Sequence, residues 1–230
     1  MELKPASFVL ASLLTAYPTP DLEESVNVLM SDPEIKMDND LRKLILNRVK
    51  AKNLLDMQSE YIDIFDRGQT TNPAYETEYG RHRALAKGNE LSDIAGFYKA
   101  FGFELDEDRE NRDMIDHVST ELEFYALLLM KQVHLDEIKD SEGSFVVEDG
   151  RKKFLMSHLA GFIGAVCNRP GIQESEYYRC IYGWVADLVG SECLDLKIQV
   201  EQVDWIQTEY KKDDEIKCQV DTGGLAKICN

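Results

Sequence analysis

The sequence lacks the signatures on which most enzymes are recognised. No G-x-x-x-x-G-K-[ST], G-x-G-x-x-G or G-x-S-x-G occurs, so nothing supports a P-loop, a dinucleotide fold or an α/β-hydrolase. H-E-x-x-H and E-x-x-H are absent too, which removes the common helical metal-ligand pairs. The five cysteines (Cys167, Cys180, Cys193, Cys218 and Cys229) include no C-x-x-C pair and have no histidines at zinc-ligand spacing. An odd count without a framework fits reduced thiols in a reducing compartment. Basic residues are scarce, 26 Lys and Arg against 43 Asp and Glu, for a net charge of −17. Such a surface repels phosphate backbones, which argues against nucleic acid, and it either attracts a basic partner or simply keeps the chain soluble. The apolar run from Ala6 to Ala16 is too short to span a bilayer, and Glu2 with Lys4 makes a poor signal-peptide start. A cytoplasmic protein without membrane insertion is expected.

What is present is helical periodicity. With 230 residues, 43% of them hydrophobic, the chain can bury a core of its own. Ile115, Val118, Leu122, Tyr125 and Leu129 share one helix face within a central helix over 112–130, apolar all round from Phe124 to Met130. Before it, the pattern predicts a helix ending at Pro18, a second reaching Met30, and one long helix from Asp38 to Phe65. A loop over 66–89 follows, then a short helix over 92–101. After it come a helix over 147–167, ended by Asn168-Arg169-Pro170-Gly171, and another over 174–189. The expectation is an all-α, single-domain bundle of about seven to nine helices over 1–195, with a polar extension over 196–230.

Three features bear on chemistry. Asp113, His117 and Glu121 recur every four residues, so on one helix they would share a face and could begin a metal site, the basis of an alternative reading as a metal-dependent enzyme. The competing reading is an acidic helix start favoured by the helix dipole. Asp221-Thr222-Gly223 has the form of an aspartic-protease loop, but that chemistry needs two carboxylates in a β-rich frame. His158, on an apolar face, reads as a hydrogen-bonded core histidine. By exclusion the chain reads as a binding protein, not an enzyme, without a cofactor of its own. Tyr61, Ile64 and Phe65 end the long helix, Pro73, Tyr75 and Tyr79 lie in the loop, and Asp113, Asp116 and His117 open the central helix. Apolar anchors edged by carboxylates suit a peptide with hydrophobic residues and arginines, although Ile64 and Phe65 serve equally as core.

Those same residues carry a resemblance. YIDIFDRG (Tyr61 to Gly68) is similar to the Y/W-x-x-L-F segment of the TorD/DmsD/NarJ-type redox-enzyme maturation chaperones, with an ending like that of the nitrate reductase delta-subunit branch. PAYETEYG (Pro73 to Gly80) resembles the following loop in the TorD branch. DMIDH (Asp113 to His117) sits where the family has Glu-Pro-x-Asp-His, and FLMSHL and YYRCIYGWVADLV match downstream. The resemblance covers residues 5 to 195. It implies an all-α chaperone that binds the catalytic subunit of a molybdopterin-containing oxidoreductase, or its twin-arginine leader, until the cofactor is inserted. It also implies that Tyr61, Ile64, Phe65, Pro73, Tyr75, Asp116 and His117 line the recognition surface. Asp113 replaces the family Glu and Met114 its Pro, a loss of a helix break that predicts a more helical approach to the central helix. A monomer is expected, with a swapped dimer or a permanent acidic subunit of a larger complex as other arrangements.

Overall fold

The computed structural model describes residues 4–33, 35–67, 71–80, 83–105, 114–201 and 203, with backbone alone at 83–86. In chain order the first helices are α1 (Pro5–Thr15), α2 (Leu22–Met30), α3 (Asn39–Arg48), α4 (Leu54–Tyr61) and α5 (Arg83–Ala100). There follow α6 (Val118–Glu137), α7 (Ser141–Ser157), α8 (Leu159–Cys167), α9 (Pro170–Glu174) and α10 (Glu176–Asp195). Among the described residues there is no β-strand, only an isolated antiparallel bridge between Tyr75 and His117. The all-α expectation holds.

The central helix sits at the centre of the packing. Leu122, Phe124, Tyr125, Leu128 and Leu129 of α6 have no exposed surface to speak of, because neighbours cover it on several sides. α1 lies along it, with the Phe8 ring 4.8 Å from Tyr125, and α7 follows it back, with Phe154 4.7 Å from Phe124. α10 closes the bundle against α8 and α1. Truncating a side chain such as Leu122 here costs about 2–5 kcal/mol. Between α6, α7 and α10 lies a buried ion pair: Arg151 Nη2 donates to Glu192 Oε2 at 2.6 Å, and the Tyr125 hydroxyl donates to the same oxygen at 2.8 Å. The described part of the tail packs back on the body. Val203 donates its amide to the Gly161 carbonyl at 3.0 Å, and Leu196 is buried.

Several boundaries differ from the periodic reading. The long helix predicted over 38–65 is broken after Arg48, where the Asn53 side chain donates to the Asn47 and Arg48 carbonyls and ends α3. A side-chain cap of this kind leaves no trace in an apolar stripe. The loop predicted to reach Asn89 ends earlier, since α5 already begins at Arg83 and carries Gly88 in its interior. The helix predicted over 147–167 starts at Ser141, capped by Asp140, and breaks at His158, whose ring is drawn to two carboxylates. α10 continues to Asp195, past the predicted end at 189. No described helix is long and apolar enough to cross a membrane.

Candidate binding site

The end of α4 is not a regular stop. From Ile62 to Asp66 the backbone widens into a π turn, closed by the Arg67 amide on the Ile62 carbonyl at 2.8 Å. Wide turns of this kind recur at functional sites, since they re-aim the side chains they carry. Here the turn directs Tyr61 and Phe65 inward, where their rings lie 4.7 Å apart and Tyr178 packs 5.3 Å from Phe65. Ile64 faces a groove.

The start of α6 is set by His117. Its ring Nδ1 accepts the Ser119 amide, which caps the helix, and Nε2 lies within 3.1 Å of the Tyr61 hydroxyl. The same short stretch pairs with the loop before α5. Glu76 donates its amide to the Asp116 carbonyl at 2.8 Å, and Val118 donates to Ala74 at 2.9 Å. The Asp116 carboxylate accepts the Thr77 hydroxyl at 2.6 Å, and the Tyr75 ring stands edge-on to His117 at 5.1 Å. This pairing holds residues 114–117 out of helical conformation, against the more helical approach expected from Met114; the stretch over 106–113 lies outside the described residues.

The sequence-derived residues therefore do meet. Tyr61, Phe65, Tyr75, Asp116 and His117 form one connected set, and Tyr79 joins through its hydroxyl on the Pro73 carbonyl at 2.6 Å. Burial pushes the Tyr79 phenol far up. Most of these groups are interior, with Tyr61, Phe65, Pro73, Tyr79, Asp116 and His117 buried and Tyr75 half-buried. Asp113 lies outside the described residues, as do Cys218, Cys229 and Asp221-Thr222-Gly223. The metal reading of Asp113, His117 and Glu121 loses its geometry, because residues 114–117 are not helical and both His117 nitrogens are engaged. Among the described residues no three His, Cys, Asp or Glu are grouped to hold an ion.

The surface that remains open beside this set is a groove of about 760 Å³ between α4 with its π turn and the start of α9 and α10. Asp56, Asp63 and Glu174 line it as exposed carboxylates, and Ile64 and Pro170 give it apolar footing. Among the described residues its one lining cation, Arg67, is held by Asp63 at 2.7 Å. Two ties cross its base. Asn72 donates to the Ile64 carbonyl at 3.2 Å and accepts the Gly171 amide at 2.8 Å, while Ser175 donates to Glu60 at 2.7 Å. Glu60 is held in turn by Arg48.

Behind the loop sits a second polar set. Both ring nitrogens of His158 reach carboxylates, Nδ1 at 3.1 Å from Glu76 and Nε2 at 3.1 Å from Asp93, an arrangement that favours the protonated ring. Burial alone would lower the His158 pKa, but the Glu76 bond and charge, with Asp93, carry it above the ordinary value. Sequence reasoning found His158 as a bonded core residue; it missed Asn72, Glu76, Thr77 and Ser175. Their positions follow no period, and only the short PAYETEYG motif held a signal for two of them.

The described residues thus form an all-helical bundle with an acid-lined groove beside a pinned loop. The chain belongs to the nitrate reductase delta subunit family, whose model matches residues 31–168. It is similar to the chlorate reductase assembly chaperone protein of Ideonella dechloratans, 26% identical over 53% of this chain and 61% of that protein. It is similar also to the selenate reductase assembly chaperone protein of Thauera selenatis, 30% identical over 57% of this chain and 69% of that one. The chain thus spans less than two thirds of the first relative and little more of the second. No solved structure matches.

Proposed function

We propose that this protein is a cytoplasmic chaperone, not an enzyme, for assembly of a molybdopterin-containing oxidoreductase. It holds a segment of the catalytic subunit, its N-terminus or twin-arginine leader, until the cofactor is in place. The observation that carries this reading is the membership of the delta subunit family together with two relatives named as assembly chaperones. The groove along α4 supports it physically. Three exposed carboxylates around an isoleucine floor suit a segment with basic and apolar side chains, since carboxylates pair well with guanidinium groups. A chain of net charge −17 also steers a basic segment toward itself.

In this account Tyr61, Phe65, Pro73, Tyr79 and His117 shape the wall from inside, while Ile64, Tyr75 and the rim carboxylates meet the client. Asp116 belongs to the same edge by fixing the loop. The chaperone acts as a monomer and makes no bond. Its test is calorimetric titration with N-terminal peptides of molybdopterin oxidoreductase subunits from the same genome, at low and high salt. Binding that weakens with salt is expected; no binding at either concentration would end the reading.

A further inference from the structure

The loop over 71–80 carries Pro73, Tyr75 and Tyr79 of the proposed client site and lines the groove with Thr71 and Asn72. Glu76 meets His158 on one side, and its charge acts on Glu121 of α6. Glu121 is fully buried on the first turn of α6, and no ordinary donor reaches either of its oxygens. Burial first, then Glu76 and the charge of Asp116, push the Glu121 carboxyl well above the usual range. A buried carboxyl that no donor reaches keeps its proton, because the charged form would stand unsolvated in the core. Glu121 thus lies buried near Glu76, which is bonded to His158 and through it to Asp93, which is largely exposed.

Among the described residues the surroundings are almost wholly acidic. α5 contributes Glu90, Asp93 and Tyr98, the turn before α6 contributes Asp116, and Glu123 lies near Tyr98. Burial first, then Glu76, raises Glu90 as well. The described cations are His158, inside the set, and Lys87, which is held by Glu78 on the outer side of the loop at 2.8 Å. Glutamine at 121 could donate to Glu76 without a titrating proton, so the carboxyl is not needed for packing.

We propose that residues 71–80 form a proton-dependent latch, in which protons held by Glu121 and His158 fasten Glu76 and their loss frees the loop beside the client groove. This is regulation of the proposed site and rests on that reading for its purpose, although the latch itself can be tested without any client. Closing the loop takes up protons, because an opened loop leaves Glu121 and His158 nearer to solvent and to their ordinary ionisation. Rising pH thus favours opening and falling pH favours closure. A client charge brought close to Glu76 would act on the same balance.

The test is hydrogen exchange at the amides of Glu76, Thr77 and Val118 in the full chain, from pH 6 to pH 8. Wild type is compared with Glu121→Gln, so that the intrinsic pH dependence of exchange cancels. The ratio of loop-opening constants, wild type over variant, should rise by about tenfold per pH unit while Glu121 keeps its proton in the closed loop. A ratio that stays flat across the range would overturn the latch. His158→Gln reads the second proton by the same measurement should the first variant fail to fold, with the same rising ratio expected and the same flat result against it. Client peptide titration is separate, so failure of the latch and failure of the chaperone reading give different results.

Discussion

His117 Nε2 lies 3.1 Å from the hydroxyl of Tyr61, joining the N-cap of the central helix to the last turn of α4. The ring makes this contact because its other nitrogen is spent on the Ser119 amide as a helix cap. One histidine thus sets a helix start and spaces two elements.

Replacing His117 with Ala should destabilise the fold by about 2 kcal/mol, the sum of a lost cap and a lost buried hydrogen bond. Tyr61→Phe keeps the ring packing against Phe65 and should cost about 1 kcal/mol. Urea denaturation of the two variants and their double mutant checks this. Non-additive losses are expected, since the residues are in contact.

The buried pair of Arg151 and Glu192 predicts a larger effect. Side-chain exposures are 0% and 3%, so removing one partner strands a charge in the core. Arg151→Met should destabilise by about 3–5 kcal/mol, and adding Glu192→Gln should restore much of the loss. Thermal unfolding of the single and double variants reads this directly.

Stability should also fall as pH rises. Glu121 and His158 both have raised folded-state pKa values, Glu121 through burial first and His158 through Glu76 and Asp93 against burial. A raised group contributes stability that is complete below its unfolded pKa, about 4.3 for Glu and about 6.5 for His. That contribution is lost as pH climbs through the folded value. Glu121→Gln should therefore gain in melting temperature over wild type, and gain more at pH 8 than at pH 5. Calorimetry at the two pH values checks the sign.

Gly171 gives a prediction for the groove. A Cβ there would stand 2.7 Å from Asn72 Nδ2, the atom that ties the groove base to the Ile64 carbonyl. Gly171→Ala should displace Asn72, cost about 1–3 kcal/mol as overpacking does, and weaken peptide binding beyond that expected from stability alone. Binding measured well below the melting temperature separates the two.

How far the residues foretold this arrangement depends on what produced each part. Leu122, Tyr125 and Leu129 follow a helical period because burial against several helices demands it, and the all-α class was legible from them. The start of α6 was not, because a histidine cap and a bridge to Tyr75 override the apolar pattern at Ile115. The aromatic residues named from the sequence lie close together, yet Tyr61 and Phe65 turn inward, since the π turn at Ile62–Asp66 rotates the chain by an extra residue that periodicity ignores. Glu76 and Asn72 act across 82 and 99 residues of chain to His158 and Gly171, a separation no local pattern encodes.

The most direct test places charge on the groove rim. Asp56→Lys and Glu174→Lys alter exposed side chains that line the groove without touching its buried ties. Peptides from the N-terminus of a molybdopterin oxidoreductase subunit of the same genome would be titrated against wild type and the double variant. The account predicts binding by wild type and at least about tenfold weaker binding by the variant, a difference that shrinks as salt is added. Equal affinity for the two proteins, with the variant fully folded, would contradict it.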